Sequence, residues 1–386
     1  MSRARQVHIC VLIDALGWRL LEGQNFLNDL LPYRRPLRTV LGYSSGAIPT
    51  ILTGQLPDKN GNWNLLYYDP EGSPFQWLRY SRFLPNQVLN HRVTRKLVKE
   101  VGRRLLGMGP TFECLVSPHL LPWFDWVERS NIYDRGGIPG SLSIFDQLWA
   151  ADIPYRVYSY HTLPDRDILL RANQDLQETG ARFFFLYLSE LDQFLHDHWG
   201  EQNLFRERLD WYSTALRKLF NLARALDPDA SFTIFSDHGM TPIHRRYDLV
   251  KDLEQLDLRS PDDYLAVYDS TMARFWFFSD QARRQIMGVL KECPCGRVLT
   301  EEELQSLGIL FSDGRYGELI FLLHPGWLMT RTNFNGHQWM PQGMHGYHPD
   351  DPHSDAIFLC DRQPSASPST IADIHPHLLE TVERCR

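Results

Sequence analysis

Four short stretches of this chain carry side chains that bind divalent metal ions. They are Asp14, which follows an apolar run; Asp192-Gln-Phe-Leu-His196; Ser236-Asp237-His238-Gly239; and His345 within Gly343-Met-His-Gly-Tyr347. Together they supply six ligands, three carboxylates and three imidazoles. A set that mixes these donors suits transition metals such as zinc. Two such ions held roughly 4 Å apart are a device for in-line displacement at phosphorus.

Each stretch alone has a plainer reading. Asp14 could cap a helix, and Asp237-His238 could form a surface turn, with Gly239 permitting its tightness. Asp192 and His196 lie one helical turn apart, so both can reach one ion, but such pairs also arise by chance. His345 competes with His337, His348 and His353. Gly343 and Gly346 let the backbone at His345 approach a site closely, whereas Pro349 and Pro352 constrain the turn beyond it.

A nucleophile must stand beside such ions. The segment Leu41-Gly-Tyr-Ser-Ser-Gly-Ala-Ile-Pro-Thr-Ile-Leu-Thr-Gly54 offers Ser44 and Ser45 at the start of an expected helix. Backbone amides and the helix dipole there would hold phosphoryl oxygens, and a bound metal would activate the hydroxyl. The competing reading is that Ser44 merely caps that helix.

The elements that must position these residues follow from periodicity. Val7–Ile13, Phe183–Leu188, Phe232–Phe235 and Ala356–Cys360 are apolar throughout, which predicts strands buried on both faces and hence parallel; Tyr155–Tyr160 is a fifth. Helical patterns fall at Trp18–Leu31, Ser141–Ala150, Leu204–Leu226 and Ile371–Val382. The alternation predicts a doubly wound α/β fold with a mostly parallel sheet and helices on both faces. Ligands of such sheets bind at the carboxyl ends of the strands, where Asp14, Asp192 and Asp237-His238 fall. The expected division is a catalytic core of residues 1–61, 141–261 and 341–386, an inserted cap at 62–140, and a small α+β subdomain at 262–340.

The chain has 386 residues, 43% of them hydrophobic, ample for one large core with insertions. A net charge of −7 argues against stable nucleic-acid binding. No apolar run approaches a membrane span. The short apolar start runs straight into Asp14 without a small-residue cleavage site, and the cysteines (Cys10, Cys114, Cys293, Cys295, Cys360, Cys385) are scattered. A cytoplasmic protein is expected on these grounds, with Cys293-Pro-Cys295 structural rather than metal-binding.

With these motifs in this order, the chain resembles the alkaline phosphatase superfamily, and most of all its nucleotide pyrophosphatase/phosphodiesterase branch. That branch has an Asp after its first strand, here Asp14. Its nucleophile lies ten residues before the Gly of a Leu-x-Thr-Gly segment, and counting back from Gly54 selects Ser44. Gly54-Gln-Leu-Pro57-Asp-Lys-Asn-Gly61 is similar to the family's Gly-x-x-Pro-x-x-His-Gly, with Asn60 in place of His. The resemblance implies two divalent ions, zinc first, with manganese or iron as alternatives. One takes Asp192, His196 and His345; the other takes Asp14, Ser44, Asp237 and His238. It implies hydrolysis of a phosphodiester or phosphoanhydride through a phospho-serine, on a small phosphorylated substrate such as a nucleotide. Monoester hydrolysis or phosphotransfer at the same site is the alternative within this chemistry, and a non-catalytic metal-binding module the alternative outside it. The family's oxygen-contacting Asn aligns with Leu65, which makes neighbouring Asn64 the candidate. Monoesterases place Asp before the nucleophile, where this chain has Tyr43. The Pro and Arg of the sulfatase signature and the mutase signature are both missing.

Two features of the expected cap lie outside that resemblance. Trp77, Tyr80, Phe83, Trp123, Phe124 and Trp126 could stack on a base or form a satellite core. Residues 91–106 read as a basic amphipathic helix, either a solvated cap helix or one that touches a membrane surface.

Overall fold

The computed structural model describes residues 6–83, 86–108, 112, 116–159, 163–333 and 339–385. His337, Cys114 and Tyr160 lie outside the described residues, as does the side chain of Phe83.

A six-stranded sheet runs in the order Tyr33–Leu37, Ala356–Cys360, Ser231–Phe235, His8–Ile13, Phe183–Leu188, Tyr155–Tyr158. The last four are mutually parallel. Alternate residues enter opposite layers, as the two-residue period of a strand requires. Ile9, Val11 and Ile13 pack beneath the Gln202–Leu226 and Asp165–Glu178 helices. Cys10 and Leu12 pack beneath Ser44–Thr53, Ile144–Ala150 and Ile374–Cys385. The fold is therefore a mostly parallel α/β sheet with helices on both faces.

Several elements differ from expectation. Ala356–Cys360 runs antiparallel to both its neighbours, because continuous apolarity reports burial on two faces and not strand direction. Tyr33–Leu37 is an edge strand that periodicity did not reveal; its Tyr-Arg-Arg-Pro-Leu sequence is polar because that edge is largely solvated. The Trp18–Leu31 pattern yields helix only over Trp18–Leu21, since Gly23 and Leu27 take left-handed conformations with φ of 74° and 54°. The helix expected from Ser141 begins at Ile144, behind a reciprocal cap between Ser143 and Asp146. The last helix is Ile374–Cys385, preceded by one tight turn at Ile371–Asp373.

A second sheet of four antiparallel strands, Tyr264–Tyr268, Met272–Phe277, Leu319–Leu323 and Gly296–Val298, carries the Asp280–Glu292 helix. The Leu66–Tyr68 and Phe124–Trp126 strands pair with one another. Their cluster includes Phe75, Val98 and Phe112 and is completed by Leu265, Val267 and Trp276 of the second sheet. Phe124 and Trp126 are thus satellite core, whereas Trp77 and Tyr80 are exposed. Among the described residues, no helix is long and apolar enough to cross a membrane.

Candidate metal centre and nucleophile

The carboxyl ends of three adjacent parallel strands converge on one spot. Asp14 directly follows His8–Ile13, and Asp237-His238 lie just beyond Ser231–Phe235. Asp192 and His196 sit on the Glu190–His198 helix, which opens immediately after Phe183–Leu188. His345 arrives from a distant loop held by the Gly343–Met344 pairing with Thr241–Pro242.

Two groups of ligand atoms result, each with its atoms within 4.8 Å of one another: Asp192, His196 and His345, and Asp14, Asp237 and His238. His238 and His345 stack, with ring centroids 3.8 Å apart and planes 14° apart, so the groups are neighbours. Glycines make this approach feasible. Gly346 has φ of 90°, and a Cβ there would meet Thr271 Oγ1 at 2.8 Å and the Tyr43 ring at 2.9 Å. A Cβ on Gly239 would lie 2.1 Å from the His353 carbonyl oxygen.

The polar bookkeeping inside the groups asks for cations. His196 Nδ1 lies 2.8 Å from the Gly343 carbonyl, and His238 Nδ1 lies 2.9 Å from the Gly239 carbonyl. Carbonyls only accept, so each Nδ1 carries hydrogen, and in the neutral imidazole each Nε2 is left with a lone pair to present to an ion. Those lone pairs face carboxylate oxygens: His196 Nε2 lies 3.3 Å from Asp192 Oδ2, and His238 Nε2 lies 3.3 Å from Asp237 Oδ2 and 3.5 Å from Asp14 Oδ1. With neutral imidazoles two acceptors would face each other at these contacts, a mismatch that a proton or a metal ion between them relieves; against burial, Asp192 and the Gly343 carbonyl raise the His196 pKa. Asp14 Oδ1, Asp192 Oδ1 and Asp237 Oδ2 are moreover buried with no hydrogen-bond partner. Burial, then the Asp237 and Asp192 charges, push the Asp14 carboxyl well above its ordinary range. Burial, then the neighbouring His238, push His345 well below the ordinary imidazole value. Buried anions without compensation cost several kcal/mol. The residues present fit divalent cations, and the imidazole lone pairs and orphan oxygens are the donor types such ions take.

The remaining oxygens are already engaged. Tyr187 donates its hydroxyl to Asp14 Oδ2. Asp237 Oδ1 accepts from the amides of His238 at 3.1 Å and Ala15 at 3.3 Å. One face of the Asp14 and Asp237 carboxylates is therefore fixed while the other stays open.

The two serines separate cleanly. Ser44 is the first residue of the Ser44–Thr53 helix, and the cap position belongs to Tyr43, without a side-chain capping bond. Ser44 Oγ lies 3.1 Å from His238 Nε2. Ser45 turns away and donates to the Trp63 carbonyl at 2.9 Å. A small cleft of about 30 Å³ beside Ser44 is lined by Ser45, Ile48, Pro49, Val127, Glu128, Ile132, Tyr133 and Tyr187. Asn64 is not brought there: it is buried, its amide points at Met272 Sδ 3.6 Å away, and it does not line that cleft. The local chain explains this, since Trp63 and Leu66 on either side anchor in hydrophobic clusters and Asn64 follows them inward.

Two hydroxyls that sequence reasoning missed complete the site. Tyr187 steers Asp14 and lines the cleft; its signal was a phenol near the carboxyl end of an otherwise apolar strand. The Tyr43 hydroxyl lies 2.9 Å from Thr271 Oγ1, and Thr271 donates to the Gly346 carbonyl at 2.9 Å. That chain ties the Ser44–Thr53 helix to the His345 loop across segments no local pattern connects. Cys293 and Cys295 are buried with sulfurs 3.0 Å apart, and neither joins a metal-type cluster among the described residues.

The sequence profile of the type I phosphodiesterase / nucleotide pyrophosphatase family matches residues 9–348. The chain belongs to this family. It is accordingly a hydrolase of the alkaline phosphatase superfamily, in its phosphodiesterase/pyrophosphatase branch. Solved structures agree on the fold. Murine ectonucleotide pyrophosphatase / phosphodiesterase 5 superposes with a TM-score of 0.68 at 15% identity, covering 98% of this chain and 95% of that chain. The human protein of that name superposes at 0.69 with the same identity and coverage. An inactive variant of the murine protein in complex with AMP also superposes at 0.68, again at 15% identity, covering 98% of this chain and 95% of that chain. No curated protein shows significant sequence similarity to the chain.

Proposed function

We propose that this member of the family is a two-metal hydrolase that cleaves a phosphodiester or phosphoanhydride through a phospho-Ser44 intermediate. The observation that carries the reading is Ser44 Oγ, 3.1 Å from His238 in a buried Asp/His group with unpartnered carboxylate oxygens. Asp14, Asp237, His238 and Ser44 would hold one ion, and Asp192, His196 and His345 the other; the mixed nitrogen and oxygen donors favour zinc, with manganese or iron as alternatives. When bound, such ions neutralise developing phosphoryl charge and lower hydroxyl pKa values.

Ser44 sits at a helix start, where its hydroxyl attacks phosphorus in line with the leaving group. The P–O bond to the leaving group breaks, and its alcohol or phosphate departs as Ser44 becomes esterified. Water then attacks the same phosphorus, releases the phosphate monoester and returns the proton to Ser44. Asp14 and Asp237 are held by Tyr187 and by backbone amides, so the site is arranged before substrate enters. The cleft beside Ser44 holds only about 30 Å³, so a substituent as large as a nucleoside base must lie at its mouth, beside Val127, Glu128 and Tyr133, rather than inside it. The AMP complex of the murine structure supports a small nucleotide as the substrate class. A cytoplasmic location belongs to the same reading, because the described cysteines are all buried free thiols.

Specificity constants for bis-aryl and mono-aryl phosphates test the bond type: the diester should be preferred, and a clear monoester preference would overturn that part. Ser44→Ala should lose turnover by about three orders of magnitude or more while retaining metal, the scale of losing a nucleophile. Full activity of that variant would remove the phospho-serine.

A further inference from the structure

The Arg92–Leu105 helix is anchored by one face only. Val98 and Gly102 are its buried positions, and they rest on the cluster that holds Phe75 and Phe112. Gly102 lets the helix sit close, since a Cβ there would meet the Phe112 ring at 2.9 Å. The outer side presents apolar side chains to solvent: Val93 is 68% exposed and Leu97 62%, while Leu105, at the end of the helix on the same side as Val98, is 77% exposed. Val93 and Leu97 are one turn apart on that outer side; exposed Arg92, Lys96 and Arg103 run along one flank of them, and Arg104, paired with Glu100 at 2.9 Å, falls in line with them. The Gln76–Phe83 turn, whose Leu78 enters the same cluster, adds Trp77 and Tyr80 at 45% and 84% exposure.

Charge singles out the same place. Residues 77–105 hold eight of the chain's 40 Lys and Arg but only one of its 47 Asp and Glu, Glu100. A net charge of +7 is thus concentrated in this short stretch of a chain whose total is −7. An acidic protein does not gain a basic patch there through its general composition. An outer face that sets exposed apolar side chains beside a row of cations matches a bilayer interface, where apolar groups enter the acyl boundary and cations meet lipid phosphates. A purely polyanionic partner such as nucleic acid would use the cations but leave Val93 and Leu97 without a role.

We infer that the outer face of the Arg92–Leu105 helix, with Trp77 and Tyr80, docks the protein reversibly onto anionic phospholipid surfaces. The cluster beneath the helix continues through Trp126 to Val127, which lines the cleft beside Ser44. Docking would therefore hold the cleft on a body that rests on the membrane. The inference stands independently of the bond the enzyme cleaves.

Co-sedimentation of the whole protein with phosphatidylcholine vesicles and with mixed phosphatidylcholine–phosphatidylserine vesicles tests it. Binding should require phosphatidylserine and fall with added salt. Lys96→Glu/Arg103→Glu should weaken it by well over tenfold, since each neutralised cation near a charged bilayer is worth about fivefold and reversal exceeds neutralisation. Val93→Ser/Leu97→Ser should weaken it by about tenfold or more, from lost burial of methylene groups in the interface. Both variants should keep wild-type melting temperature and turnover of a soluble aryl diester, because these side chains are exposed. Equal binding to neutral and anionic vesicles, or no binding to either, would overturn the inference. So would undiminished binding by Val93→Ser/Leu97→Ser while Lys96→Glu/Arg103→Glu fails, which would mark a site for an acidic macromolecule.

Discussion

Asp165 offers a quantitative test of how the group of Asp192, His196 and His345 is held. Its carboxylate is fully buried and accepts from the Ser189 amide at 2.9 Å and the Glu190 amide at 3.2 Å, at the start of the helix that carries Asp192 and His196. Tyr212 donates to it as well. Burial pushes its pKa from 3.8 up to about 6, against the opposing pull of those hydrogen bonds. A carboxyl whose folded pKa is raised binds protons more tightly when folded, so it destabilises the protein above pH 6 and ceases to do so below pH 3.8. The shift corresponds to about 3 kcal/mol at pH 8, of which about 1.4 kcal/mol is recovered by pH 5. Asp165→Asn abolishes that titration, but its single amide oxygen serves only one of the two backbone amides, at a cost of about 1.5–3 kcal/mol. At pH 8 gain and loss should nearly cancel. At pH 5 the variant should be less stable than the wild type by about 1.4 kcal/mol more than at pH 8. Urea unfolding of the metal-free proteins at both pH values measures this directly. A difference unchanged within about 0.5 kcal/mol would show that Asp165 keeps an ordinary pKa, and the argument from its burial would fail.

Three further outcomes follow from the site. His345→Ala should strip the ion held by Asp192 and His196 while the ion at Asp14, Asp237 and His238 stays; elemental analysis showing both sites full would mean another histidine is the ligand. Tyr187→Phe should lower metal affinity at Asp14 by about 10–100-fold, the usual scale for a lost outer-sphere partner, and calorimetric titration showing wild-type affinity would count against the steering role. Gly346→Ala should destabilise by about 1–3 kcal/mol, because its left-handed backbone and the nearby Tyr43 ring both resist a methyl group; a wild-type melting temperature would contradict this.

The sheet was readable because its strands are buried on both faces, and two-sided burial leaves an unbroken apolar run such as Phe183–Leu188. Direction and edges were not, since Ala356–Cys360 looks the same in either orientation and Tyr33–Leu37 is too solvated to alternate. In the site, the metal-type ligands were legible because each is a rare residue type at a strand end or beside a glycine. The sequence offered Ser44 and Ser45 side by side and favoured Ser44 only through the spacing to Gly54; in the structure Ser44 Oγ lies beside His238 and Ser45 bonds the Trp63 carbonyl. Tyr43, Thr271 and Asp165 act through contacts between segments far apart in the chain, and such contacts leave no periodic trace. The direction of Asn64 was not legible for a related reason, because it is set by the anchoring of Trp63 and Leu66 rather than by its own type.

The buried carboxylate oxygens without partners have a consequence for the protein's life in the cell. A chain that folds before it acquires its ions carries unmatched negative charge in its centre, and every bound ion stabilises the folded form by mass action. The metal-poor protein should therefore open more often and be degraded sooner, so its abundance follows the supply of the ion as well as the rate of synthesis. Immunoblots of cells grown with and without a permeant chelator would show this as a shorter half-life of the wild type. The effect should be smaller for Asp14→Asn, which lacks one of the repelling charges and has less to gain from an ion.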